Sequence, residues 1–176
     1  LNPSFTSGDV VNAVAFSPDG SLLVLGGDFT GGGTLFSVNG TTITRKYELS
    51  LDTGTLDIVT AVTFSPDGVK LLAADTNGGV NGELYVFTVE DGEVVFLRTL
   101  LRGGNTFNNQ IKGLSFSPNG NTLIVAGYFS GYISQFEVSG TNFTYTQDLY
   151  NAKLTRGCAY SPLGNLLVLS GAPVQC

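Results

Sequence analysis

Residues 11–20 read Val-Asn-Ala-Val-Ala-Phe-Ser-Pro-Asp-Gly, and close variants of this segment return three times along the chain. The later copies are Val-Thr-Ala-Val-Thr-Phe-Ser-Pro-Asp-Gly at 59–68, Ile-Lys-Gly-Leu-Ser-Phe-Ser-Pro-Asn-Gly at 111–120 and Thr-Arg-Gly-Cys-Ala-Tyr-Ser-Pro-Leu-Gly at 155–164. In each copy an apolar stretch leads into a turn, where Pro presets φ and Gly takes the left-handed conformation. A strand and turn repeated in this way indicate an all-β repeat protein.

The spacing of the copies identifies the repeat unit. The aromatic residue before each turn recurs after 48, 52 and 44 residues, at Phe16, Phe64, Phe116 and Tyr160. A period of roughly 40–50 residues is typical of four-stranded β-propeller blades, which pack side by side around a central channel. We therefore predict an all-β fold in which a single β-propeller segment covers residues 1–176.

Each repeat has room for four strands. In sequence order, the first strand and its turn are followed by a short apolar strand, a Gly-rich loop, a third strand, a tight turn and a fourth strand. The last repeat has residues for only the first two. The sequence thus predicts three complete blades at about 11–58, 59–110 and 111–154, and a partial fourth blade at 155–176.

The Phe-Ser-Pro-Asp-Gly segments at 16–20 and 64–68, with their flanking strands, resemble WD-repeat propellers and lactonase-like propellers with YVTN-type repeats. The resemblance covers residues 11 to about 171. The chain has no His for the Gly-His pair of a WD repeat and no Trp for its Trp-Asp pair. The third strands end in Phe-Ser-Val, Phe-Thr-Val and Phe-Glu-Val, closer to the lactonase-like pattern. The resemblance implies a propeller fold, and fold analogy alone assigns no activity.

Charge excludes one class of partner. The chain has 14 acidic and 8 basic residues, a net charge of −6 and a pI near 4.3. Nucleic acid binding requires clustered Lys and Arg that neutralise phosphates, and eight scattered basic residues do not supply this cluster. No apolar run approaches the roughly 20 residues that span a bilayer. We expect neither nucleic acid binding nor membrane insertion.

The residues expected to face the central channel lie four positions before each aromatic anchor. They are neutral or basic: Asn12, Thr60, Lys112 and Arg156. The next position in each copy is small, as expected where inner strands crowd together: Ala13, Ala61, Gly113 and Gly157. The absence of His removes the commonest general base and metal ligand. We predict no catalytic, cofactor-binding or metal-binding residue and no cofactor.

Two other functions stay open at this point. The lactonase-like resemblance allows a hydrolase with a divalent ion bound in the channel, and the oxygen ligands of Asp75-Thr76-Asn77 suit Ca²⁺. Surface Tyr and Asn residues allow a carbohydrate-binding propeller. A hydrolase needs carboxylates that converge at the channel mouth, whereas an interaction module does not, so the channel wall distinguishes the two classes.

Two sequons occur in the chain, at Asn39-Gly40-Thr41 and Asn142-Phe143-Thr144. Both fall in the predicted turn between the third and fourth strands of a blade. Sequons on exposed turns are modified in secreted proteins. We therefore predict glycans on Asn39 and Asn142 and an extracellular or cell-surface location.

The two cysteines occupy different settings. Cys158 takes the slot that Val14 and Val62 hold in the first two repeats, which predicts a buried core thiol. Cys176 lies beyond the last repeated segment. A Cys158–Cys176 disulfide and bonds from Cys176 to another chain or to further sequence are both open.

The run of blades is expected to need covering at both ends, because an open arc exposes apolar faces and strand edges. The chain has no Met, so a processed product or a piece of a longer protein is expected. Further sequence of the same polypeptide or other copies of the chain would cover the ends. Copies would close a ring or extend head to tail as a filament. The expected function is a non-enzymatic extracellular structural or protein-interaction module that binds other proteins.

Overall fold

A computed structural model describes residues 9–52, 54–77, 81–107, 110–128, 132–151 and 155–171. These residues form sixteen β-strands, and no helix occurs among them. In the same ranges there is accordingly no helix long and apolar enough to cross a membrane. The predicted all-β fold of packed four-stranded antiparallel sheets is confirmed.

The strands form the sheets in chain order. The first blade contains β1 (Val10–Phe16), β2 (Leu22–Asp28), β3 (Gly33–Asn39) and β4 (Thr42–Glu48). A small hairpin follows, made of β5 (Ser50–Leu51) and β6 (Gly54–Thr55). The second blade contains β7 (Val59–Phe64), β8 (Lys70–Asn77), β9 (Asn81–Glu90) and β10 (Glu93–Leu100).

The third blade contains β11 (Ile111–Phe116), β12 (Thr122–Gly127), β13 (Tyr132–Ser139) and β14 (Asn142–Asn151). In the fourth repeat β15 (Thr155–Tyr160) pairs with β16 (Leu167–Gly171), and these two strands form the whole of its described sheet. Successive strands pair antiparallel in every sheet, so each blade is a meander whose first strand lies innermost.

The turn after each inner strand is held by its own side chains. In the first blade Ser17 Oγ accepts a hydrogen bond from the Leu22 amide at 2.9 Å, and the Asp19 carboxylate accepts one from the Ser21 amide at 3.0 Å. Gly20 closes the turn with a φ of 74°. Hydrogen bonds from Ser17 and Ser21 lower the pKa of Asp19 to about 2. The Ser-Pro-Asp-Gly sequence thus encodes this turn locally.

The hydrophobic core lies between blades. Between the first and second blades, the core includes Leu22, Val24, Leu35, Phe64, Leu71 and Phe87. Between the second and third blades, it includes Leu72, Leu84, Val86, Phe116, Leu123 and Phe136. Adjacent residues of β8 therefore belong to different cores, because alternate side chains of a strand point to opposite faces. Each complete blade is stabilised mainly by its neighbours.

Candidate functional site at the inner strands

The four inner strands share one irregularity. In each of them the pairing with the second strand skips one residue, which is a β-bulge. The skipped residues are those predicted to face the channel: Asn12, Thr60, Lys112 and Arg156. A bulge removes a residue from the ladder and redirects its side chain. The same bulge in every repeat therefore sets where these side chains point.

Two of the bulge residues bind the next blade. The Asn12 side-chain amide donates a hydrogen bond to the Val59 carbonyl at 3.1 Å. Thr60 Oγ1 donates one to the Ile111 carbonyl at 2.5 Å, and this bond is buried. Both bonds tie one inner strand to the following inner strand, so these two polar groups have a structural use at the channel wall.

The fourth bulge residue points elsewhere. The exposed Arg156 guanidinium donates a hydrogen bond to the Tyr128 hydroxyl at 3.3 Å and lies 5.6 Å from the centroid of that ring. This contact ties the fourth repeat to the end of β12.

The small residues after the bulges allow close approach of the inner strands, as predicted. A Cβ atom added at Gly113 would lie 2.8 Å from the Cys158 nitrogen, closer than real Cβ contacts. Alanine at this position would therefore push β11 and β15 apart. The glycine is required by packing at the channel wall.

The inner strands line a shallow, open depression on the channel side. Its lining includes three of the bulge residues, Asn12, Thr60 and Lys112, with small and apolar residues between them. None of the lining residues is acidic, and Lys112 is the charged one. Within the described ranges, no three His, Cys, Asp or Glu side chains come together as a metal-binding group would require. The described part of this wall thus presents amide, hydroxyl and amine groups among small and apolar residues.

The candidate Ca²⁺ ligand Asp75 is already engaged. Its buried carboxylate accepts hydrogen bonds from the Asp57 amide at 2.9 Å and the Ile58 amide at 2.8 Å. Burial raises the pKa of Asp75, and the backbone hydrogen bonds oppose that shift. Asp75 thus fastens the segment that enters the second blade to β8. The side chain of Asn77 lies outside the described residues.

The two sequons lie on exposed hairpin turns. Asn39 ends β3 and Asn142 begins β14, and both side chains are exposed. Their hairpins occupy the same place in the first and third blades. A glycosyltransferase could reach both sites, and glycosylation stays a prediction.

Cys158 packs against the third blade, with Sγ 3.9 Å from the Ile124 carbonyl oxygen. Burial raises the pKa of its thiol to about 12, so little thiolate forms near neutral pH. Cys158 is half-buried and lines the cavity, so it packs against the third blade without being the fully buried core thiol that the sequence predicted. Cys176 lies outside the described residues, so the disulfide alternatives stay predictions.

One polar cluster was not predicted from the sequence. Arg102, after β10, forms an ion pair with Asp148 of the third blade, and its Nε donates to Ser134 Oγ at 3.2 Å. Its guanidinium carbon lies 4.2 Å from the centroid of the Tyr132 ring. Partial burial would raise the pKa of Asp148, but hydrogen bonds from Arg102 and Ser134 outweigh it and lower that pKa. In the sequence, the feature that could have indicated this ion pair is the separation of Arg102 and Asp148 by 46 residues, which is close to the length of one repeat.

Comparison with known proteins identifies the kind of fold. A family model described as WD domain, G-beta repeat matches residues 3–30. No curated protein sequence matches the chain. A Bacteroides uniformis structure named for a 6-phosphogluconolactonase matches with a TM-score of 0.73 and 19% identity, over 93% of this chain and 48% of that chain.

Two further structures match at similar levels. The periplasmic gluconolactonase PpgL of Pseudomonas aeruginosa has a TM-score of 0.69 and 15% identity, over 90% of this chain and 50% of that one. The Cps50 (Swd1) β-propeller domain of Myceliophteria thermophila has a TM-score of 0.67 and 17% identity, over 93% and 50%. The chain spans about half the length of these propellers. The predicted resemblance to WD-repeat and lactonase-like propellers is confirmed, and the chain is a partial β-propeller.

Proposed function

We propose that this chain is a non-enzymatic structural or protein-interaction module, whose work is done by the rim and the blade faces. The main observation behind the proposal is that polar side chains of the inner strands form hydrogen bonds to the next blade. Asn12 and Thr60 bind the carbonyl groups of the next blade at the channel wall. Groups that hold the blades together in this way are not free to bind and transform a substrate.

The chemistry of the cavity supports the same proposal. Lys112 supplies a positive charge there, and the lining residues supply no acid. Cys158 is disfavoured as a nucleophile because burial raises the pKa of its thiol to about 12. The buried carboxylate of Asp75 is taken up by two backbone amides. Cys158 and Asp75 thus have structural uses.

The module is proposed to work outside the cell, as the exposed sequons suggest. Asn39 and Asn142 should both carry glycans when the protein is made in a secretory pathway. Intact-mass measurement of native material, before and after removal of N-glycans, tests this directly. A native mass equal to that of the bare polypeptide would contradict it.

The competing function is lactone hydrolysis assisted by a channel-bound divalent ion. It is favoured by the names of two structural neighbours, at identities that establish the fold alone. The channel would then need carboxylates near the cavity, which the described lining does not provide. Carbohydrate binding has no particular group of residues in its favour.

Hydrolysis of gluconolactone, followed with and without added Ca²⁺, separates the two classes. We expect a rate equal to that of the buffer in both conditions. Lys112→Ala is the matched variant, because it removes the charged group of the cavity. A rate above the buffer rate that added Ca²⁺ enhances would overturn the proposal, whether or not Lys112→Ala changes it.

A further inference from the structure

Four asparagines of this chain are followed directly by glycine, in the pairs Asn39-Gly40, Asn77-Gly78, Asn81-Gly82 and Asn119-Gly120. Such a pair can lose the side-chain amide when the backbone nitrogen of the second residue attacks the amide carbon of the asparagine. Glycine suits this attack because it has no Cβ and allows close approach. The attack also requires that the nitrogen and the side-chain amide be free, and the structure distinguishes the pairs on this point.

The pair at 119–120 is held by hydrogen bonds within its turn. Asn119 Oδ1 accepts hydrogen bonds from Ser117 Oγ at 2.7 Å and from the Asn121 amide at 3.1 Å. The Gly120 amide donates a hydrogen bond to the Ser117 carbonyl at 2.8 Å. Both reacting groups of this pair are thus engaged, so these bonds must break before the nitrogen can attack.

The pair at 81–82 is protected by its place in the fold. Gly82 is buried, and its amide donates a hydrogen bond to the Phe107 carbonyl at 2.9 Å. This bond is part of an antiparallel bridge between β9 and the segment that precedes the third blade. Burial and the hydrogen bond both hold the attacking nitrogen in place. Gly78, which follows Asn77, lies outside the described residues.

The pair at 39–40 has neither kind of protection. Asn39 and Gly40 are both exposed, where β3 ends and the turn to β4 begins. Among the described residues, no hydrogen bond engages the Gly40 nitrogen or the Asn39 side chain. Gly40 has a φ of 58°, and a Cβ added to it would meet nothing within 4 Å. Since the exposed end of a hairpin opens at little cost, the two groups can reach each other.

We propose that Asn39 is a deamidation site of the chain when it carries no glycan. The Gly40 nitrogen forms a bond to Asn39 Cγ, the Cγ–Nδ2 bond breaks, and Nδ2 leaves as ammonia with the proton of the Gly40 amide. The resulting succinimide takes up one water molecule and opens at either carbonyl. The products contain aspartate or isoaspartate at position 39. Water is the co-reactant, and nothing is oxidised or reduced.

This reaction goes beyond the proposed function and gives the two sequons different chemical stabilities. Glycosylation and deamidation exclude each other at Asn39, because the glycan is attached to the same Nδ2 atom that leaves as ammonia. The second sequon, at Asn142, is followed by Phe143, which is 9% exposed and pairs with Val138 in the sheet. A bulky, ordered residue supplies the attacking nitrogen there. Asn142 should therefore keep its amide.

The full chain from a host that attaches no N-glycans tests the proposal. It is incubated at weakly alkaline pH, which promotes loss of the amide proton, and peptide mapping by mass spectrometry follows each asparagine. We expect modification at Asn39 to exceed that at Asn119 by at least about tenfold, because hydrogen bonds must first break at Asn119. In urea this difference should disappear, because both asparagines precede glycine and neither is then held by the fold.

Two variants isolate the attacking residue. Gly40→Ala places a Cβ beside the nitrogen and should slow modification of Asn39 several-fold, whereas Thr41→Ala destroys the sequon and should leave the rate unchanged. Circular dichroism shows whether each variant keeps its strands, and the comparison of Asn39 with Asn119 in the unchanged chain depends on no variant.

Three results would overturn the proposal. They are an unmodified Asn39, equal modification of Asn39 and Asn119 in the folded chain, and a difference between them that persists in urea. This test uses the bare chain and reads out no binding, hydrolysis or glycan. Its failure is therefore distinguishable from failure of the proposed function.

Discussion

The strands β2 and β16 contain the same four residues, Leu-Leu-Val-Leu, in two different environments. In the first blade Val24 is fully buried, and in the fourth repeat the equivalent Val168 is 56% exposed. The strands pair with their inner neighbours in the same register. The difference lies in the neighbouring blade, which covers Val24 with Phe64 and leaves Val168 open. Burial in this fold is therefore a property of the stack of blades, because each blade supplies only half of a core.

The largest expected effect comes from placing the same charge at the two equivalent valines. Val24→Asp buries an unpaired carboxylate and should lower the free energy of unfolding by at least about 4 kcal/mol. Val168→Asp should change it by less than about 0.5 kcal/mol, because Val168 is already more than half exposed. Urea unfolding followed by circular dichroism measures both. Equal losses would show that the two strands share one environment.

A smaller difference in unfolding free energy is expected between the two hydrogen bonds that join neighbouring inner strands. Thr60→Val removes the buried donor to the Ile111 carbonyl and should cost about 1–2 kcal/mol. Asn12→Ala removes the partly buried equivalent between the first and second blades and should cost less, about 0.5 kcal/mol. Unfolding midpoints of the two variants give the comparison. If Asn12→Ala costs as much as Thr60→Val, burial does not set the value of these bonds.

The smallest effect concerns pH and the ion pair between the second and third blades. The pKa of Asp148 is lowered in the folded chain, so its contribution to stability is present above the unfolded pKa of about 3.9. The contribution is lost as pH falls through the lower folded pKa. Asp148→Asn should cost about 1 kcal/mol at pH 7, and the difference from the unchanged chain should shrink below about pH 4.

The control for this pH effect is Glu137→Gln, which removes an exposed carboxylate from the same blade. It should leave the free energy of unfolding nearly unchanged at pH 7. A constant difference between Asp148→Asn and the unchanged chain down to pH 2 would contradict the assigned role of the ion pair.

The sequence predicted the parts of the fold that are encoded locally. The turn at 17–20 is closed by its own Ser and Asp, so its pattern is readable in any copy. The aromatic anchors locate the inner strands in the sequence, because each anchor occupies the same packing position in its blade. The small residue Gly113 was correctly linked to crowding, since only a residue without a Cβ fits against Cys158.

The contacts between blades could not be predicted in the same way. Three of the four predicted channel-facing residues line the cavity, whereas Arg156 contacts Tyr128 instead. The hydrogen bonds of Asn12 and Thr60 to the next inner strand depend on a bulge that composition does not reveal. The pairing of Arg102 with Asp148 joins residues 46 apart and needs the geometry of two blades. The function was harder to predict, because the repeated residues determine a turn and a hydrophobic core and do not identify a ligand.

The bulge of the inner strands has a consequence for how such a protein diversifies. The four repeats place Asn, Thr, Lys and Arg at the skipped residue and retain the same register on either side of it. Residue identity there is thus uncoupled from strand pairing. Mutation at Lys112 can reverse or erase the charge of the channel wall without redrawing the sheet. A lineage of propellers, or a designed library, can therefore change the chemistry of the channel wall at Lys112 while the pairing of the sheet is retained.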